Sequence, residues 1–259
     1  MLKDKDLNKI ERKRRGNSRY FLFFAVALFV CLGTGYGVYY ALLNVSWFNL
    51  TKVEIKNNVS VPKFMITNVT DKYKGQNLLA ISTNDLRKSL SKISRVKKVQ
   101  FRKHLPHTLN IVITERSGFL YIKSIEGDLH PVDSEGIILE KLNSYYNEDL
   151  PLVTTYIPNA QFKVGAKLVK PYIVKILKIQ KLVTEQLPDF QALISEYYVL
   201  DDTVYLVDAK YGTRIIPSDE DVIAQFKRYM FVQDNGNIDR NSVIDLRFKN
   251  QVVVKAGNK

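Results

Sequence analysis

Residues 96–116 read VKKVQFRKHLPHTLNIVITER. Val99 and Phe101 share one parity, Leu109, Ile111 and Ile113 share another, and Leu105-Pro106-His107 lies between them. Alternation of period two on both sides of a turn predicts two strands, each with one face buried. Upstream, Thr83 or Asn84 caps a helix carrying Leu86, Leu90 and Ile93 at i, i+4 and i+7. Ser60-Val61-Pro62 opens an earlier helix that Lys74-Gly75 ends; a capping hydroxyl is followed by proline, whose missing N–H does no harm in the first turn. Lys52 to Lys56 alternates and adds a strand. The order is βααββ, and a three-stranded sheet with both helices on one face buries these apolar surfaces together.

Before this unit, residues 20–43 run for 24 positions without a charge, and the 19 residues ahead of them carry eight Lys/Arg against three acids. Such a segment is long enough to span a bilayer as a helix, where no backbone polar group can be left unpaired. The cations at its N-terminal flank (Arg12, Lys13, Arg14, Arg15, Arg19) hold that end in the cytoplasm, and the 216 residues from Asn44 onward then lie outside. A cleaved leader would have a shorter apolar core ending in small residues. Here the run ends in Tyr39-Tyr40-Ala41-Leu42-Leu43, with Trp47 and Phe48 as interfacial anchors. Gly33, Gly35 and Gly37 either admit a second membrane helix or are glycines that a membrane helix tolerates. The sole cysteine, Cys31, sits inside the span, so packing and hydrogen bonds must stabilise the exported body. For an exported chain that favours a bacterial envelope poor in disulfides.

After Phe119 the pattern changes to β-rich runs such as 197–200 and 203–207, separated by turn signals at Gly127-Asp128, Asp133-Ser134-Glu135-Gly136, Asp201-Asp202, Tyr211-Gly212 and Asn235-Gly236. Two helices interrupt them. Residues 167–187 place Val169, Tyr172, Ile173, Ile176, Ile179, Leu182 and Val183 on one side, and Ser218 caps Asp219-Glu220-Asp221 ahead of Val222, Ile223, Phe226 and Met230. The chain closes with strand-like 242–248 and 252–255, joined by Lys249-Asn250-Gln251. The reading is an α+β chain: a basic cytoplasmic tail (1–19), one transmembrane helix (20–43), the βααββ domain (48–117) and a mostly antiparallel β domain with flanking helices (118–257).

Chemistry is hard to find in this sequence. His104 and His107 flank a turn instead of sharing a helix face, no H-E-x-x-H motif is present, and Asp128, Asp133 and Glu135 occupy turns where aspartate is expected for local backbone bonding. Nucleophile elbows, Walker loops and S-x-x-K arrangements are absent. No catalytic residue, metal site or cofactor is expected.

Two surface features remain. Arg87, Lys88, Lys92, Arg95, Lys97, Lys98, Arg102 and Lys103 form a cationic run within a net charge of +13. They read either as a contact face for an acidic partner or phospholipid headgroups, or as a solvated edge where lysine discourages strand pairing. Nucleic acid is not expected outside the cytoplasm. Val252-Val253-Val254 reads as the last strand of a sheet, either open to an added partner strand or covered by the protein itself.

Several short motifs in fixed order resemble the FtsQ/DivIB family of bacterial cell-division proteins. They are Phe48-x4-Val53-x-Ile55-x-Asn57-Asn58, Gln76-Asn77-Leu78-Leu79-Ala80-Ile81, Val96-x2-Val99-x-Phe101-Arg102, and Leu105-Pro106-x2-Leu109-x-Ile111-x-Ile113-x-Glu115-Arg116. Val132-Asp133-x2-Gly136-Ile137-Ile138, Leu150-Pro151-Leu152 and Val243-Ile244-Asp245-Leu246-Arg247-Phe248 continue the match. Ser117-Gly118-Phe119 departs from the family's proline and alanine, and Phe248 stands where tyrosine is common. The resemblance implies that the βααββ unit is a POTRA domain and the protein a non-enzymatic bitopic divisome scaffold at the septum. It would bind FtsB/DivIC-like and FtsL-like partners and help assemble or regulate septal peptidoglycan synthesis. Carried onto matching positions, partner binding falls on Arg247, Phe248, Val252, Val253 and Val254, with Phe226 and Tyr229 of the preceding helix beside them. The rival readings are a membrane-anchored extracytoplasmic cell-wall enzyme and a POTRA-bearing export chaperone.

Overall fold

A computed structural model describes residues 3–141, 149–236, 238, 239 and 241–256, with side chains from Tyr20 onward. The cationic side chains of the tail and the expected domain end at residue 257 lie outside the described residues. The chain divides into two compact units, Met1–Lys56, Thr67–Leu86 and Phe101–Ile111 forming the first, Asn57–Ile66, Arg87–Gln100 and Val112–Lys259 the second.

Helix α1 (Lys3–Leu43) contains the apolar stretch Tyr20–Leu43, which has a mean hydropathy of 2.1 and is not buried against the rest of the protein. It is long and apolar enough to cross a membrane. Strand β1 (Lys52–Lys56), helix α2 (Lys63–Thr70), helix α3 (Thr83–Leu90), strand β2 (Val96–His104) and strand β3 (Thr108–Glu115) follow in the expected order. The three strands form a sheet ordered β1-β3-β2, and Leu109, Ile111 and Ile113 are fully buried, as their shared parity requires. Leu86 and Leu90 of α3 are buried as well. The cap of α3 is Ser82, whose hydroxyl accepts the N–H of Asp85, not Thr83 or Asn84. Serine one residue earlier leaves Thr83 free to open the helix.

Eight strands make the second sheet: β4 (Leu120–Lys123), β5 (Leu129–Val132), β6 (Leu152–Thr154), β7 (Ile194–Leu200), β8 (Thr203–Asp208), β9 (Arg214–Ile216), β10 (Val243–Asp245) and β11 (Val253–Lys255), ordered β11-β10-β9-β8-β7-β6-β4-β5. Antiparallel pairs predominate, but β4–β6, β6–β7 and β9–β10 are parallel. Parallel neighbours need a long crossover. Helix α4 (Pro171–Gln186) supplies it between β6 and β7, followed by the short α5 (Pro188–Gln191), and α6 (Val222–Asn235) supplies it between β9 and β10. The β7–β8 hairpin turns at Asp201 and Asp202, both at positive φ, which suits the primed turn of a two-residue loop.

The helices differ from expectation at their starts. Helix α4 begins at Pro171, so Val169 is exposed while Ile173, Ile176, Ile179 and Val183 are buried. Asp219, Glu220 and Asp221 precede α6 instead of forming its first turn: Ser218 accepts the N–H of Glu220, and Asp221 adopts a left-handed φ of 48° that delays the helix to Val222. One apolar cluster joins α4, α5 and α6 to the buried face of the sheet, from Leu120 and Ile122 to Ile244 and Leu246. Two buried hydroxyls pin it, Tyr197 Oη donating to Gln180 Oε1 at 2.8 Å and Tyr229 Oη donating to Asp208 Oδ2 at 2.9 Å. Tyr229→Phe strands that carboxylate oxygen and should cost about 2 kcal/mol of stability, read as a lower urea midpoint with unchanged slope.

The end of β3 is fastened twice. Glu115 accepts N–H bonds from Val59, Ser60 and Val61 at 2.8–2.9 Å and a further bond from the Ser60 hydroxyl. Burial pushes its carboxyl up, but these donors outweigh that and leave its pKa below the ordinary value. Arg116 bridges Asp133 and Glu135, and Lys97 reaches the second oxygen of Glu135 at 2.8 Å. Asp133 also closes its own turn by accepting the N–H groups of Glu135 and Ile137. Gly136 has φ of 84°, and a Cβ there would lie 3.2 Å from the Leu168 carbonyl, so glycine is required.

Candidate functional site

The two ends of the large sheet are finished differently. At the β5 end, the N–H of Leu139 bonds the carbonyl of Pro131 at 2.8 Å and Val132 bridges Ile138, so residues 137–139 cover that strand. At the other end β11 pairs only with β10, in the register Val243↔Lys255, Ile244↔Val254 and Asp245↔Val253. No strand lies on its outer side among the described residues. The turn before it is tight: Gln251 N–H bonds the Phe248 carbonyl at 3.3 Å, and Asn250 takes φ of 60°, which asparagine tolerates. Gln225 of α6 donates to the same Phe248 carbonyl at 3.0 Å, and Arg228 to Asn250 Oδ1 at 2.8 Å.

A buried carboxylate anchors this edge. Asp245 is 0% exposed; its Oδ1 accepts from Arg247 Nε at 2.9 Å, and its Oδ2 accepts from Arg247 Nη2 at 2.7 Å and from Lys255 Nζ at 3.0 Å. The Arg247 bonds are the main reason its pKa lies far below the usual aspartate value, with Lys255 adding to them against the opposing effect of burial. Lys255 is on the edge strand itself, so the ion pair ties β11 to β10 beyond their backbone bonds.

The sequence-named residues separate into two groups. Phe248 and Val254 are each nearly half exposed, and Val252 and Val253 are half-buried, all on or beside the edge. Arg247, also named for partner binding, faces solvent in part and places its two-pronged fork on Asp245. Phe226 and Tyr229 need correction: both are essentially unexposed in the core, where Phe190 packs against each ring. The resemblance brought them forward, but both lie on the buried stripe of α6. Its exposed neighbour is Phe231, 69% accessible, beside a groove of about 480 Å³ lined by Lys227, Arg228, Phe231, Val232, Asn250 and Val252. Sequence reasoning missed Phe231, although an aromatic off the buried stripe was a usable signal. It also missed Asp245 and Lys255; Asp245-x-Arg247 has the strand spacing that puts two side chains on one face.

The cationic run is less free than its composition suggests. Arg95 is buried and donates through Nε to the Glu140 carbonyl at 2.8 Å, Lys97 is paired with Glu135, and Lys103 donates to the Leu79 and Ile81 carbonyls. Arg87, Lys88, Lys92, Lys98 and Arg102 remain exposed. Three of the eight thus serve the protein's own acceptors, and the other five stay at the surface.

Comparison with known proteins places this geometry. A family model described as POTRA domain, FtsQ-type, matches residues 48–116. The cell division protein DivIB of Clostridium botulinum strain Hall is 26% identical over 142 residues, covering 55% of this chain and 52% of that protein. The cell division protein FtsQ of Geotalea daltonii is 25% identical over 120 residues, covering 46% and 43%. That of Corynebacterium glutamicum is 27% identical over 96 residues, covering 36% and 43%. The chain spans about half the length of the curated relatives it matches. Residues 48–116 thus match an FtsQ-type POTRA domain, and the chain that carries them, with its apolar N-terminal helix and mixed second sheet, is similar to cell division proteins named DivIB and FtsQ.

Proposed function

We propose that the protein is a membrane-anchored, non-enzymatic scaffold of cell division. Its α1 crosses the cytoplasmic membrane once with the basic tail inside, and a POTRA domain (48–117) and a partner-binding domain (118–257) lie outside at the septum. Binding falls on the outer side of β11, where an extended segment of an FtsB/DivIC-like partner adds a ninth strand, with an FtsL-like protein in the same complex. The complex in turn helps assemble or regulate septal peptidoglycan synthesis. The observation that carries this reading is the unequal finish of the sheet: one edge is covered by the chain's own residues, and on the other no strand pairs with the outer side of β11 among the described residues. Beside it, Phe248, Phe231 and the groove at Val252 provide apolar contacts, and Lys227, Arg228 and Lys249 favour an acidic partner segment.

The test is co-purification from membranes of dividing cells. The full chain should retain its bitopic partners and concentrate at midcell, whereas removal of residues 252–259 should lose the partners while the protein stays in the membrane. Full retention by the shortened chain would refute binding at this edge.

A further inference from the structure

A helix leaves its last four carbonyls outside its own ladder. For α1 these belong to Tyr40, Ala41, Leu42 and Leu43, and the chain continues Asn44-Val45-Ser46 with no glycine to make the left-handed exit that commonly closes such an end. Each carbonyl nevertheless has a donor. Asn44 serves Tyr40 through Nδ2 and Ala41 through its backbone N–H, both at 3.0 Å, and the N–H of Val45 reaches Leu42 at 3.4 Å. Asn77, far along the chain, does the rest: its Nδ2 donates to Leu42 at 3.0 Å, Leu43 at 2.9 Å and the following Val45 at 3.4 Å.

Asn77 is itself held in place. It is buried, and its Oδ1 accepts the N–H of Leu79 at 2.9 Å. The loop around it is stitched to the chain leaving the helix by Leu78 N–H to Phe48 O at 2.7 Å, Leu50 N–H to Gln76 O at 2.8 Å and Gly75 N–H to Leu50 O at 2.9 Å. On its other side, Lys103 of β2 donates to Leu79 O at 3.1 Å and Ile81 O at 2.9 Å, and burial lowers the pKa of that ammonium. All of these residues belong to the first compact unit. A flexible tether would be polar, rich in glycine or serine, and unbonded. Residues 44–51 hold no glycine, carry Val45, Trp47, Phe48 and Leu50, and bond through the N–H groups of Asn44, Val45, Phe48, Asn49, Leu50 and Thr51.

We propose that residues 76–81 form a collar that locks the membrane helix to the rest of the first compact unit, with Asn77 as its positioning residue, so that this unit, anchor included, turns as one piece. A second helix that tilts or rotates α1 within the bilayer then moves the Lys103 end of β2 as well, through Asn77 and the collar. The collar thereby turns the anchor from an attachment into a lever.

The test uses the full chain in phospholipid nanodiscs, followed by amide hydrogen exchange and by the distance between spin labels at Ala41 and Lys72, with Cys31 replaced by serine. Asn77→Ala should speed exchange of the Val45, Phe48 and Asn49 amides by about tenfold, leave the β3 amides unchanged, and broaden the distance distribution. Asn77→Asp keeps the acceptor for Leu79 but removes the donors and sets a negative charge at the negative helix end, so it should act at least as strongly. Unchanged exchange at residues 45–49, an unchanged distance distribution, or a rise spread equally over β3 would each overturn the proposal. The last outcome would make Asn77 a residue of general stability.

Discussion

Val253→Pro is expected to weaken capture of the partner segment by about 100-fold, while Val253→Thr should change it by less than about threefold. Val253 lies opposite Asp245 in the only pairing that β11 makes among the described residues. Proline removes its N–H and fixes φ near −65°, so it interrupts the ladder whichever side that N–H serves. Threonine keeps the β-branched shape and every main-chain group. The two variants therefore separate recognition through the backbone from recognition through the side chain. Titration of the full-length variants in detergent against the partner's extracytoplasmic part measures the difference, and equal affinities would show that the edge is not extended by a strand.

The second large effect is expected at Asp245. Asp245→Ala removes the acceptor for three charge-assisted bonds and leaves Arg247 and Lys255, each about half exposed, to return to solvent. Relief of the carboxylate's desolvation offsets part of the loss, so the expected cost is about 2 kcal/mol, concentrated on the β10–β11 pairing. Amide exchange should show the edge strand opening before the remaining sheet. The pH dependence has a definite sign. The folded pKa of Asp245 is depressed, so its contribution is complete above the ordinary aspartate range and is lost as pH falls through the folded value. The wild-type edge should therefore stay paired at pH 5. A β11 that opened in wild type between pH 6 and pH 5 would contradict the ion-pair account.

The alternation at Leu109, Ile111 and Ile113 was legible because one buried face imposes a period of two on the sequence, and the stripe of α4 because a helix imposes its own. The parallel pairs were harder to foresee. Short strands such as β6 and β9 carry too few residues to show a period, and pairing direction follows from the crossover helices, a matter of chain order rather than local pattern. Phe226 and Tyr229 illustrate the limit for the site: the resemblance carries two positions of a helix over as neighbours of the edge, but not which face of that helix packs into the core. Asn77 lies further out of reach, because its role depends on carbonyls more than thirty residues away. A polar residue followed by Leu78-Leu79-Ala80-Ile81 gives no local hint of such a bond.

One consequence of the unequal sheet ends concerns how many molecules can join. Open-ended stacking of identical chains requires two reactive rims on every copy, one to receive and one to extend. Here Leu139 already occupies one rim, so a guest on the opposite side terminates the array, and even two copies meeting through their bare rims would form a closed pair. With a partner strand on β11 as proposed, the described sheet would admit one guest on that side and would not grow further through it.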